Sequence, residues 1–289
     1  MAAAVAVPPP EAGSGFKNHE AGSGFKNHEA GSGFKDHFSG HAAAYAEGRP
    51  TYPPALVDAL ADLCPETRLA ADCGCGSGQF SRLLRHRFAH VVAMDASPQQ
   101  IAHAAPHPGV TYRVAPAEQT GLEPASVDLL TAAQAAHWFD LPAFWREAGR
   151  IVRPGGVVAL ITYNLLRIHP ALDAVLDVFH HQTLDPWWPP ERHMVMEGYA
   201  GLDFPFQNLP FPPLTMSLEW NLPALLRYFG TWSAVQAAER ATGVSPLPAL
   251  AQQIAPLWGD PEIRRLISWP LAGRIGRVEA SPAATAGSV

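Results

Sequence analysis

From Phe38 onward the apolar positions fall into two alternating periods. Leu56, Val57, Leu60 and Leu63 recur at helical spacing behind Pro53-Pro54, and proline is tolerated in a first helical turn. Leu69-Ala70-Ala71 is a short apolar run that stops in glycines, which predicts a buried strand. Phe80, Leu83 and Leu84 predict a helix, and His90–Met94 a second strand ending at Asp95. Ser97-Pro98-Gln99-Gln100 places a hydroxyl at the cap, proline at the first helical position and glutamine at the third. Val110–Val114 and Val127–Thr131 predict strands three and four. Asp140 is positioned to cap a helix whose Leu141, Phe144, Trp145, Ala148, Ile151 and Val152 share one face. Pro154-Gly155-Gly156 is expected to stop it before a fifth strand over Val157–Thr162. Strands alternating with helices predict an α/β fold, a doubly wound, mostly parallel sheet covered on both faces.

After Asn164 the rhythm breaks. Residues 165–212 are rich in Pro, Trp, His and Phe, Pro213–Trp220 reads as a strand, and Leu222–Thr242 as a helix. Ile267–Val278 reads as a closing strand despite Pro270 and Gly273. The expected organisation is a core over about 38–164, a helical and aromatic lobe over about 165–265, and a closing strand over about 267–278.

Ahead of this domain, which we place at 34–289, lies a repeat tail over 1–33. Glu11–His19 reads EAGSGFKNH, Glu20–His28 repeats it unchanged, and Glu29–His37 differs only at Asp36. So short a Gly/Ser-rich unit buries no core and builds no solenoid, so a flexible tail is expected. Metal capture by His19, His28 and His37 is the alternative, although such spacing preorganises nothing.

Composition narrows the class. The 289 residues are 47% hydrophobic with a net charge of −6, a globular balance without the cation cluster that nucleic acid requires. No run reaches the ~18 apolar residues of a membrane span, and Met1–Val7 makes a poor secretory signal. Cys64, Cys73 and Cys75 cannot frame a disulfide scaffold, so a reducing cytoplasmic setting and a small-molecule partner are expected.

The chemistry concentrates in Asp72-Cys73-Gly74-Cys75-Gly76-Ser77-Gly78, between the first strand and its helix. Glycines let a ligand approach bare backbone, and ligands of open α/β sheets bind at the carboxyl ends of the strands. The dinucleotide fingerprint spaces its glycines one, three and six; here they fall one, three and five behind an acid. An acid at that entry opposes a pyrophosphate and suits a cationic amino-acid tail, which favours S-adenosylmethionine over NAD. Asp95, 21 residues after Gly74, can accept from ribose hydroxyls of either cofactor. Cys73 and Cys75 read as small loop residues rather than metal ligands.

Asp72–Gly78, Asp95, Ala117-Glu118 and Arg153-Pro154-Gly155-Gly156 resemble the motif series of class I S-adenosylmethionine-dependent methyltransferases. Tyr45–Pro53, Gln134–Phe139 and Tyr228–Ser233 are similar to segments of the trans-aconitate methyltransferase-like group. The resemblance spans about 38–278 and implies a seven-stranded, Rossmann-like sheet with an antiparallel hairpin. It further implies that Asp72, Gly74, Gly76 and Gly78 hold the methionine end of the cofactor, and Asp95 with Ala96 the ribose. Ala117 and Glu118 would flank the adenine, Gln134 would lie beneath the sulfonium, and a short helix carrying Tyr45 and Arg49 would close over it.

For the acceptor, His137 is a candidate base or a loop histidine bonded to backbone, and Arg49 a candidate partner for a carboxylate. Trp138 reads as a packing wall, and Trp187, Trp188, Tyr199, Tyr228 and Trp232 as core or as a substrate wall. The function expected is methyl transfer to a small acceptor, a carboxylate or a natural-product hydroxyl or phenol. An NAD(P)-dependent oxidoreductase and a non-catalytic cofactor-binding module are the alternatives.

Overall fold

The computed structural model describes residues 50–279. The repeats, Tyr45 and Arg49 lie outside the described residues. Helix α1 (Pro54–Leu63) buries Leu56, Val57 and Leu60 and leads into β1 (Leu69–Cys73). In the anticipated order follow α2 (Gln79–Leu84), β2 (His90–Asp95), α3 (Pro98–Ala102), β3 (Val110–Val114), β4 (Val127–Ala133), α4 (Leu141–Ile151) and β5 (Val152–Tyr163). Both expected caps form: the Ser97 hydroxyl accepts from the Gln100 N–H, and the Asp140 carboxylate from the Ala143 N–H.

The lobe contributes α5 (Pro170–Val178), α6 (Arg192–Met196), β6 (Gln207–Leu209), β7 (Thr215–Trp220), α7 (Leu222–Gly230), α8 (Ser233–Thr242) and α9 (Leu247–Trp258) before β8 (Arg265–Arg277). The sheet order is β3-β2-β1-β4-β5-β8, parallel up to β5 and antiparallel at β8. On its other edge β8 pairs first with β7 and then with β6. Registers Leu209↔Ile275 and Thr215↔Pro270 make these two segments of one edge. Pro210, Pro212 and Pro213 interrupt it because proline has no N–H for the ladder. Taken as one strand, they complete the expected seven-stranded, mostly parallel sheet.

Successive strand residues point to opposite faces, and two cores result. Val157, Ala159 and Ile161 of β5 pack with α1, whereas Val158 and Leu160 pack with Phe144, Ala148 and Ile151 of α4. The lobe touches both: Leu225, Phe229 and Trp258 join the first core, Val195 and Tyr199 the second.

Three boundaries differ from the sequence reading. Strand β5 starts at Val152, directly after α4, so Pro154-Gly155-Gly156 is a bulge within the strand rather than the helix stop. The residue before a proline avoids helical geometry, and Arg153 instead pairs with the buried Asp128, 3.0 Å away. The helix expected over Leu222–Thr242 is two helices parted at Thr231-Trp232. Finally, α5, α9 and the three-residue β6 were not anticipated, and β6 is too short to show alternation.

Candidate active site

The glycine loop is shaped by close packing. Gly74, Gly76 and Gly78 all hold left-handed φ values of 67°, 54° and 80°. A Cβ at Gly74 would meet the Ala135 Cβ at 2.4 Å, and one at Gly78 would meet the Tyr112 hydroxyl at 2.4 Å. At Gly76 it would meet only the Gln100 Oε1, at 3.7 Å, so this stretch of the loop presents open backbone. The loop is tied to β2 by the Cys75 N–H donating to the Met94 carbonyl.

Asp95 completes that tie. Its Oδ2 accepts from the Gly76 N–H and its Oδ1 from the Ser97 N–H, both at 2.9 Å. Burial raises its pKa and the two backbone bonds oppose the rise. The carboxylate is thereby fixed beside the half-buried backbone of Gly76, with Ala96 in the bend that follows.

Asp72 sits differently from the sequence reading. It is 1% exposed, beneath the loop rather than at its mouth. Its Oδ2 accepts from the Ser81 hydroxyl at 2.6 Å and its Oδ1 from the Thr131 hydroxyl at 2.7 Å. Burial pushes its pKa up to about 6, against those two hydrogen bonds, and nearby Asp95 adds to the rise. Any influence on a ligand above the loop is therefore that of a buried charge. Cys73 and Cys75 have their thiol pKa values raised, chiefly by burial, so neither is a ready thiolate.

After β3 the chain turns through buried Ala117. The Glu118 carboxylate accepts from the Asp140 N–H at 2.8 Å, holding this turn to the start of α4. Glu147, which the sequence did not single out, secures the same segment. Its Oε1 accepts from the Thr120 N–H and hydroxyl, at 2.9 and 2.6 Å. The Arg150 guanidinium, hydrogen-bonded to it, holds its pKa down at about 2.

Beyond β4, Gln134 holds φ 55°, a left-handed conformation that costs a non-glycine residue of order 1–3 kcal/mol. Its N–H donates to the Ile161 carbonyl at 2.8 Å and its side chain to the Tyr163 carbonyl at 3.1 Å. His137 lies on the 3₁₀ turn Ala136–Trp138, its Nδ1 3.0 Å from the hydroxyl of fully buried Tyr199. Burial and the charge of Arg192 bring the His137 pKa down to about 4, so the imidazole is neutral at physiological pH. Burial raises the Tyr199 pKa, which keeps that hydroxyl protonated. The hydrogen bond between Nδ1 and the Tyr199 hydroxyl fixes the orientation of the ring.

Of the aromatic set that the sequence left as core or substrate wall, Tyr199, Tyr228 and Trp232 are buried in the core, and Trp187 and Trp188 pack against it. His180, Trp188 and Trp232 lie within 4.9–5.7 Å of one another by ring centroid. The Arg192 guanidinium lies 4.9 Å above the Trp188 ring. Helix α6, which starts at Arg192, packs against both the His137 turn and β5. Arg192 escaped the sequence reading; the one available signal was a cation two residues beyond Trp187-Trp188-Pro189-Pro190.

Asp72, the glycines, Asp95, Ala117, Gln134 and His137 thus gather at the carboxyl ends of β1 to β4. Open backbone beside a fixed carboxylate, with a buried anion below, fits a nucleoside carrying a cationic amino-acid tail.

Comparison with known proteins agrees. A family profile described as a methyltransferase domain matches residues 71–160, from β1 into β5. An inferred methyltransferase of Dictyostelium discoideum is 33% identical over 221 residues, 75% of this chain and 84% of that one. A malonyl-[acyl-carrier protein] O-methyltransferase of Dechloromonas aromatica is 34% identical over 51% of this chain and 55% of its own length. Among solved structures, an inferred type II methyltransferase from Anaeromyxobacter dehalogenans matches with a TM-score of 0.77 and 50% identity, over 81% of this chain and 99% of that one. Through this shared domain and the site it builds, the chain belongs to the S-adenosylmethionine-dependent methyltransferases.

Proposed function

We propose that the enzyme methylates an oxygen of a small acceptor, a carboxylate or a natural-product hydroxyl or phenol. The observation that carries this reading is the buried, neutral, tyrosine-bound His137 at the β4 end, against which the lobe helix Arg192–Met196 packs. Two segments similar to the trans-aconitate methyltransferase-like group, Gln134–Phe139 and Tyr228–Ser233, support a carboxylate in particular. The Dechloromonas relative, named for O-methylation, supports oxygen as the target atom.

When bound, S-adenosylmethionine supplies a sulfonium methyl: an acceptor lone pair forms the new bond while sulfur keeps the pair of the one that breaks. In our assignment the glycine loop and the field of Asp72 hold the amino-acid end, Asp95 and Ala96 the ribose, and Ala117 with Glu118 the adenine. Gln134 supports the sulfonium side, and Tyr45 and Arg49 cover the site from the segment before Pro50. Pro50 itself lies beside the start of α2, where its carbonyl accepts from the Gln79 side chain at 3.4 Å. The chain's remaining task is to position the acceptor and exclude water.

A histidine with a pKa of about 4 is a poor base for a phenol near pKa 10. His137→Ala is therefore expected to slow a carboxylate acceptor only several-fold, whereas a base acting on a phenol would cost about a hundredfold or more. Release of S-adenosylhomocysteine across carboxylates, phenols and amines tests the proposal, with calorimetry of S-adenosylmethionine and NAD binding alongside. Cofactor binding with turnover confined to amines would refute oxygen methylation.

A further inference from the structure

Tyr199 is fully buried, and its backbone holds φ 62°, directly after Gly198 at 61°. A residue with a side chain keeps such a left-handed conformation only where its surroundings impose it, and such positions gather at functional sites. Here two ties impose it. The Tyr199 N–H donates to the Met194 carbonyl at 2.9 Å, which fastens the residue to α6. From β8, the Arg274 guanidinium donates to the carbonyls of Tyr199, Ala200 and Leu202 at 3.5, 3.0 and 3.4 Å. The phenol is thereby delivered to one place, 3.0 Å from Nδ1 of His137. That place adjoins the start of the 3₁₀ turn Ala136–Trp138, where the first N–H groups of a helix have no partner within it. The N–H groups of Ala136 and His137 act as donors on the Tyr199 oxygen, against the rise that burial imposes on the phenol. A phenol has one proton and two lone pairs. With backbone donors on the lone pairs, its proton is left for Nδ1. The other ring nitrogen, Nε2, has no hydrogen-bond partner among the described residues.

Resting on the methyl-transfer reading, we infer that Tyr199 is a positioning residue that holds His137 as its Nε2–H tautomer, so that the imidazole gives a hydrogen bond to the bound acceptor and takes no proton from it. A neutral imidazole carries one N–H. Were that proton on Nδ1, Nε2 would be an acceptor and the same ring a base. The phenol therefore selects which of two chemistries the turn offers. As a donor, His137 orients a lone-pair-bearing atom of the acceptor beside the sulfonium methyl; no bond to the histidine forms and no proton moves. The strained backbone of Tyr199 serves this choice, because α6 and β8 together keep its hydroxyl against the turn.

The test uses the full chain, labelled with nitrogen-15 histidine and saturated with S-adenosylhomocysteine. Two-bond proton–nitrogen correlations read the tautomer directly, and His137→Gln assigns the signal. At neutral pH, above the His137 pKa of about 4, a single Nε2–H ring is expected. Tyr199→Phe keeps the packing and removes only the hydroxyl. Its spectrum should move to a mixture of both tautomers, while S-adenosylmethionine affinity by calorimetry stays within twofold. The second readout is S-adenosylhomocysteine release with benzoate, phenol and hexylamine as acceptors. For whichever reacts, Tyr199→Phe should lower kcat/KM several-fold, and adding it to His137→Ala should cause no further loss. The spectrum decides the matter even where none of the three reacts. The inference is overturned if the unaltered chain carries the proton on Nδ1, if Tyr199→Phe leaves the tautomer unchanged, or if the two substitutions act additively on turnover. Failure of the unaltered chain to bind S-adenosylmethionine would instead overturn the underlying reading.

Discussion

The two halves of the proposed site, one for the cofactor and one for the acceptor, are built by different means. The cofactor half is stitched by backbone: Gly76 and Ser97 donate to Asp95, and Cys75 donates to Met94, all within a strand–loop–helix repeat. The acceptor half is assembled from side chains far apart in the chain. His137 meets Tyr199 across 62 residues, and His180 meets Trp232 from a different helix pair. Backbone stitching makes the first half insensitive to most side-chain changes outside its few fixed positions. Side-chain assembly lets the second half change acceptor by substitution without disturbing the sheet.

That contrast can be broken experimentally. The largest effect is expected at Asp95. Hydrogen bonds to a charged group are worth about 1.5–3 kcal/mol, so Asp95→Ala should weaken S-adenosylmethionine by about one to two decades in calorimetry. A lobe change such as Trp188→Ala should leave that affinity nearly untouched and appear in the acceptor KM; comparable cofactor losses from both would erase the distinction.

Next comes Gly78→Ala. Its left-handed φ and the Tyr112 ring in the way predict a loss of about 1–3 kcal/mol in stability by denaturant melting. Adding Tyr112→Ala should restore only the steric part of the stability loss, leaving the conformational part.

Asp72 gives a smaller, pH-dependent effect. Its raised pKa means that this group's contribution to stability is fully present below about pH 3.8 and is lost as pH rises through about 6. Cofactor affinity should run the opposite way, because a cationic tail prefers the ionised carboxylate. It is expected to fall by up to tenfold per pH unit below about 6, and Asp72→Asn should flatten the profile. A slope unchanged in that variant would remove Asp72 from the account.

The smallest effect is expected from deleting residues 1–28, which lie outside the domain's periodic pattern. Tm and turnover should be unchanged; a large fall in Tm would show that the repeats support the fold.

The legibility of the molecule follows the same division. The helix caps at Ser97 and Asp140, the five parallel strands and the glycine loop were readable because each rests on contacts a few residues apart. Helix α5 was not, although Leu172, Val175 and Leu176 keep helical spacing, because prolines and histidines around it obscure the pattern. Arg192 carried only the weak local signal of a cation just beyond Trp187-Trp188-Pro189-Pro190. Its place over Trp188 and beside two histidines exists only once α6 is packed on the β4 end.

By itself the sequence determined the sheet, the bend of its glycine loop and the class of cofactor, since hydrophobic period, capping and backbone freedom act over short chain distances. Tertiary structure alone decided that Asp72 lies buried beneath the loop, that His137 is neutral, and which charges lie near it. Burial and charge proximity set those properties, and both are sums over neighbours brought together from distant parts of the chain.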